Sequence, residues 1–219
     1  MADIFREVDE DVRREKAAAF WEKHQTLILG VAVAIVLATA GWRAWDYKRT
    51  RDAEAAGAQY EAALELDRQG KAAEAEKAFS DIAAKGPPGY ALLARLRGAA
   101  EIAKRDRPEA VRLYDAIGED AGVEPLLRDL ARLRAAFLRA DEADAAEFAR
   151  RLEPLAEAGR PFRSSARELI GAKALQAGDF DRAAKYLDMI VVDSAAPPSL
   201  RQRAELLLGL VRAGKPTSG

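Results

Sequence analysis

One histidine, His24, and no cysteine are present in the 219 residues, and that pair of counts closes most routes to side-chain chemistry at once. A Ser-His-Asp arrangement needs a histidine placed among other elements, and zinc or redox sites need several His or Cys ligands. His24 stands at the edge of the most apolar stretch of the chain, where a lone histidine reads as an interfacial polar residue. Carboxylates are plentiful, as in Glu7-Val8-Asp9-Glu10-Asp11 and Asp141-Glu142-Ala143-Asp144, and paired carboxylates can do acid-base work. Their spacing is that of solvated helix faces and helix starts. Gly86-Pro87-Pro88-Gly89 lacks the spacing of a phosphate loop and the Lys-Ser/Thr that should follow one, and reads as a turn between repeats. Trp42 to Arg51, WRAWDYKRTR, interleaves aromatic and basic residues as a nucleic-acid groove can, but its place beside the apolar run favours lipid headgroups. The sequence therefore offers no catalytic residue, no metal ligand set and no cofactor or small-molecule substrate site, and predicts a protein that is not an enzyme.

Lys+Arg number 35 against 36 Asp+Glu, so the net charge is −1, without the basic excess that phosphate neutralisation requires. Nucleic acid is not an expected partner. Half of the chain, 49%, is hydrophobic, enough for a folded core, and Ala, Leu, Glu, Arg and Lys outnumber the β-branched and aromatic strand formers. The fold class is all-α.

The elements that position these residues begin with the apolar run. From Gln25 to Trp42 lie 18 residues without formal charge, near the about 20 that cross a hydrocarbon core. Trp21 on one side and Trp42, Trp45 and Tyr47 on the other sit where aromatic rings settle at the headgroup level. Three readings stand: an uncleaved anchor, a signal cleaved after the small-x-small triplet Ala38-Thr39-Ala40, and a soluble core helix. The anchor is favoured, because Met1 to Lys23 carries five basic and seven acidic residues where a signal starts with a short positive region. Ile4, Phe5, Val8 and Val12 fall near one face of a short amphipathic helix. Arg13, Arg14, Lys16 and Lys23 balance Arg43, Lys48, Arg49 and Arg51 across the run, so charge alone leaves the orientation open.

Beyond the run, Gly and Pro punctuation predicts helices near Asp52 to Gln69, Ala72 to Ala84, Tyr90 to Lys104, Pro108 to Ile117, Pro125 to Arg139, Ala143 to Glu157, Ser164 to Ala177, Phe180 to Val192 and Ser199 to Ala213. They recur in pairs. Ala75 with Phe79, Ala110 with Tyr114 and Ala183 with Leu187 each place a small residue four before a large one, and Ile82, Ile117 and Ile190 follow three later. Twelve residues before each alanine stand Ala63, Gly98 and Gly171, small residues that let the two helices of a hairpin approach. The step from Ala75 to Ala110 is 35 residues and from Ala110 to Ala183 it is 73, so a degenerate unit lies between, within Asp129 to Leu155.

This pattern resembles the tetratricopeptide repeat, a helix-turn-helix of about 34 residues with small residues at the crossing. The units here run slightly long and mostly lack that repeat's first-helix tryptophan and tyrosine; a helical-hairpin solenoid of other ancestry is the competing reading. The order of parts, a charged segment IFREVDEDVRREK, one span and a repeat array ending near AAPPSLRQRAELLLGL, resembles the YfgM-like ancillary subunits of the bacterial Sec translocon, in their alphaproteobacterial form. The expected parts are an amphipathic segment over residues 1–24, a transmembrane anchor over 25–45, an array of about four tetratricopeptide-like hairpins plus a C-terminal capping helix over 46–213, wound as a right-handed superhelix, and a disordered tail over 214–219. The resemblance implies that the first is cytoplasmic, that the anchor lies in the inner membrane and that the array is periplasmic. It implies association with the translocon and periplasmic chaperones, as a scaffold, and an N-in, C-out orientation. An adaptor for envelope growth or cell division is the alternative role. Groove positions of the tetratricopeptide repeat, carried through the alanine registers, fall on Tyr60, Leu64, Leu92, Arg95, Ile102, Glu168 and Leu175, as the expected partner-binding residues.

Overall fold

The computed structural model describes residues 2–141 and 144–214. Nine α-helices and no strand are found among them: α1 (Ala2–Arg68), α2 (Ala72–Lys85), α3 (Pro88–Ile102), α4 (Arg107–Glu119), α5 (Pro125–Arg139), α6 (Ala145–Ala156), α7 (Arg163–Gln176), α8 (Phe180–Val191) and α9 (Pro198–Gly214). The all-α expectation holds. Two compact units divide the chain, Met1–Ala55 and Ala56–Gly219.

In the first unit the helix runs through what the sequence divides into an amphipathic segment and a span. No proline lies before Pro87, and single glycines at 30 and 41 weaken a helix by only about 1 kcal/mol each relative to Ala. The side chains of Ile4, Phe5, Val8 and Val12, and of the carboxylates at 7 and 9–11, fall outside the described residues. The segment from Ala18 on is long and apolar enough to cross a membrane, and its apolar window is not buried in protein. Thr39 satisfies its hydroxyl within the helix by donating to the Ile35 carbonyl at 2.8 Å. Arg49 lies over the Trp45 ring at 5.6 Å and Arg51 over Tyr47 at 5.3 Å, so the cations at this end are held against aromatic faces. Phe20 and His24 are ring neighbours at 4.7 Å.

The second unit is a series of helical hairpins: α1 from Ala56 with α2, α3 with α4, α5 with α6, and α7 with α8, followed by α9. Gly70 and Gly178 stand five residues before Ala75 and Ala183 and take φ of 75° and 76°, the left-handed turn that only glycine adopts without strain. The turns are closed by Lys71 N–H donating to Leu66 O and Asp179 N–H to Ala174 O, both 2.9 Å. Asp106, Asp144 and Asp179 cap α4, α6 and α8 by accepting from backbone N–H groups of the first turn. Pro88 and Pro125 open α3 and α5, which is why α3 starts two residues earlier than Tyr90. Gly86 ends α2 by donating to Ile82 O at 2.8 Å, so Gly86-Pro87-Pro88-Gly89 is the turn between the first two hairpins. α9 is described as far as Gly214; residues 215–219 fall outside the described residues.

Ala63, Ala75, Phe79, Ala110, Ala183 and Leu187 are completely buried, and Tyr114 is nearly so. Gly171 is buried against Leu187, while Gly98 is half-buried beside Phe79. The degenerate third unit differs. In its second helix Phe148, Leu152 and Leu155 are buried with the spacing that Ala75, Phe79 and Ile82 have, so a phenylalanine fills the place of the small residue. Ala136, twelve residues earlier, supplies the small partner. With so large a knob at the crossing, α5 and α6 touch only briefly, whereas α4 and α5 pack along their length.

Ion pairs tie successive elements. Asp67 at the end of α1 receives Arg97 and Lys104, each at 2.6 Å, and both cations also reach the buried Glu101. Lys104 above all, then its other neighbours, hold the Asp67 carboxyl far below the ordinary range. Asp193 joins α7 to the turn after α8, accepting both Arg163 nitrogens at 2.6 and 3.1 Å and the buried Arg167 at 3.3 Å.

Candidate functional site

Arg95 and Ile102 come together with Gly98 on one face of α3, and that face floors an open cleft of about 250 Å3. Its walls are the second helices of two successive hairpins: Phe79 and Ala83 from α2, Leu113 and Ala116 from α4. The small side chains Ala83, Gly98 and Ala116 make the space, and Phe79 and Ile102 make it apolar. Glu76, Arg95 and Glu109 stand at the rim. Each rim charge is already matched: Glu76 by Arg105 at 2.6 Å, Arg95 by Asp120 at 3.0 Å, Glu109 by Arg112 at 2.6 Å. The Arg95 guanidinium, with the Gly122 N–H, holds the Asp120 carboxyl below its ordinary range. Such a cleft has room for an apolar side chain or two, and its rim charges, being paired, are not available as an anion trap.

The other five expected contact residues lie elsewhere. Tyr60 packs edge-on to Phe79 at 5.5 Å and near Tyr90 at 6.2 Å, and Leu64 lies in the same cluster. Leu92 packs with Tyr114 and Ile117 between the second and third hairpins. Glu168 accepts both Arg203 nitrogens at 2.6 and 2.9 Å, bridging α7 to α9. Leu175 belongs to the cluster that seats α9.

A second cleft, about 400 Å3, lies between the packed pair α4 and α5 and the second helix of the next hairpin, α6. Ala136, Phe148 and Leu152 form its apolar side, and Asp115 with Arg139 at 2.5 Å and Glu147 with Arg151 at 2.7 Å its charged side. The repeat register does not point to this place. Its signal in the sequence is the irregular spacing, because Phe148 follows Ala110 by 38 residues where 35 would continue the first step.

Of the two acidic runs weighed as chemistry, Asp144 serves as a helix cap and Asp141 pairs with Arg107 at 3.1 Å; residues 142 and 143 fall outside the described residues. No group of three or more His, Cys, Asp or Glu able to hold a metal ion is present among the described residues.

The sequence pattern of the tetratricopeptide repeat-like domain family matches residues 18–186, from ahead of the apolar run to the eighth helix. No curated protein and no solved structure matches the chain. A match over most of the length, together with hairpins built on buried small residues at helix crossings, shows that the chain belongs to the tetratricopeptide repeat-like domain family.

Proposed function

We propose that this protein is a single-span inner-membrane scaffold whose repeat body docks other proteins beside the bilayer, as an ancillary subunit of the Sec translocon that links it to periplasmic chaperones. The observation that carries the docking role is the apolar cleft floored by Arg95, Gly98 and Ile102, whose rim charges are internally neutralised and whose shape suits a side-chain anchor from another protein. The charge balance argues against a nucleic-acid partner, and the lone histidine against an enzyme. An uncleaved anchor is supported by the family match itself, which includes the apolar run as part of the shared pattern. The translocon assignment, the N-in, C-out orientation and the periplasmic location rest on the resemblance in the order of parts.

The test is a photo-crosslinking residue in place of Ala116, on the exposed wall of the cleft, in the full chain in living cells. Recovery of translocon subunits or periplasmic chaperones supports the proposal. Recovery of cell-division or wall-synthesis proteins alone transfers the scaffold to envelope growth. Orientation is read separately: a cysteine placed at the exposed Ala158 of this cysteine-free chain reacts with a membrane-impermeant maleimide in intact spheroplasts, and protection until lysis refutes the C-out arrangement.

A further inference from the structure

A repeat helix with no further unit stacked on its outer face ordinarily turns a polar face outward. Here α9 seats Leu200, Ala204, Leu208 and Val211 on the preceding hairpin, and the opposite face is also apolar. Leu206 and Leu210 are 68% and 60% exposed, with exposed Gly209 and Ala213 between and beyond them. At about 100° per residue these four fall in one stripe about 100° wide. Beyond its chain neighbours and the backbone of its own helix, nothing lies within 4 Å of where a Cβ on Gly209 would be, so the middle of the stripe is open.

The edge of the stripe carries the information about its partner. Glu205 and Arg212 lie two turns apart on the same edge, both exposed, and neither forms an ion pair with another described residue. Arg203, on the other edge, is committed to Glu168. If a second α9 is laid antiparallel across the stripe about a two-fold axis between Leu208 and Gly209, Glu205 of each copy comes level with Arg212 of the other. The same rotation keeps like edges together, so both cross-pairs form at once. Leu206 then inserts between Leu210 and Ala213 of the other copy, and Gly209 sits near the axis, where a small residue allows close approach. A parallel pairing about a two-fold along the helices would place the Glu205–Arg212 edges of the two copies on opposite sides of the seam, so neither cross-pair would form. This is the self-complementarity that an isologous interface requires.

We propose that the outer face of α9 is a homodimer interface, and that its occupant is the α9 of a second copy in antiparallel register. One pair of such helix faces buries on the order of 1,000 Å2 in total, at the low end for specific association. The dimer is therefore weak in dilute solution and is favoured where copies are concentrated.

The experiment uses the full chain in its native membranes with Gly209→Cys, a position free of steric conflict. Mild oxidation is expected to give a disulfide-linked species of twice the monomer mass, and Ala146→Cys, exposed on α6, is expected to give at least fivefold less. In the Gly209→Cys background, Glu205→Arg and Arg212→Glu each lower the dimer yield at least threefold, and the two together restore it. Any of four results overturns the proposal: no dimer from Gly209→Cys, equal yield from Ala146→Cys, a crosslinked species of another mass in its place, or a double reversal no better than the single ones.

Discussion

A Cβ placed on Gly171 would stand 2.8 Å from Cγ of Leu187, whereas one placed on Gly98, at the same position of an earlier repeat, meets only Cβ of Phe79 at 3.6 Å. Leu187 is completely buried, and its branch carbon cannot swing away as a chain end could. Gly171→Ala therefore overpacks the α7–α8 crossing and is expected to cost about 1–2 kcal/mol, net of the about 1 kcal/mol that alanine returns as helix propensity. Gly98→Ala is expected to stabilise by about 0.5–1 kcal/mol, because its contact is an ordinary one. Denaturant unfolding of the full chain in detergent, comparing the two variants, checks the opposite signs.

Phe79 is completely buried, fills the first hairpin crossing and receives the edge of Tyr60. Phe79→Ala leaves a cavity that adjoins the cleft, and the expected loss is about 3–5 kcal/mol. Phe79→Leu should recover most of it. Thermal melts of the two variants decide between a loss of packing, which Leu repairs, and a specific need for the ring, which it does not.

Ala116 is exposed on the cleft wall, so Ala116→Glu should change stability by no more than about 0.5 kcal/mol. A carboxylate at the mouth of an apolar cleft opposes entry of an apolar anchor, and partner capture is expected to fall at least tenfold. The paired readout is a pull-down beside a melting curve; unchanged capture at unchanged stability would move docking to another face, the wider cleft beside Phe148 first.

The Asp193 carboxyl is lowered to about 2, chiefly by the Arg163 guanidinium and also by the Ala195 N–H. Its folded-state value lies below its unfolded value of about 3.9, so its stabilisation is complete above about pH 4 and is lost as the pH falls through about 2. Asp193→Asn should lower the melting temperature by a constant amount from neutral pH down to about pH 4. The gap should then narrow and close near pH 2. A gap independent of pH would mean that Asp193 acts by shape and not by charge.

Much of the fold was legible in the sequence because helices are local. Pro125 and Arg139 bound α5 where the punctuation placed them, and Gly70 and Gly178 mark the left-handed turns that end the preceding helices. The small-then-large spacing from Ala75, Ala110 and Ala183 identified one helical period and one register, and all three alanines are fully buried. The lone histidine and missing cysteines limited the chemistry without any coordinates. What the tertiary structure decided was which of these places remain open. The transferred groove positions did not reveal that Glu168 is claimed by Arg203 and Arg95 by Asp120, because each partner lies 25 or more residues away. Nor did register distinguish Gly171 from Gly98, or show that Phe148 at an alanine's place props α5 from α6. A period states which residues meet at a crossing; the distance between the helices depends on both side chains and on the next unit stacked behind them, and only the assembled packing determines it.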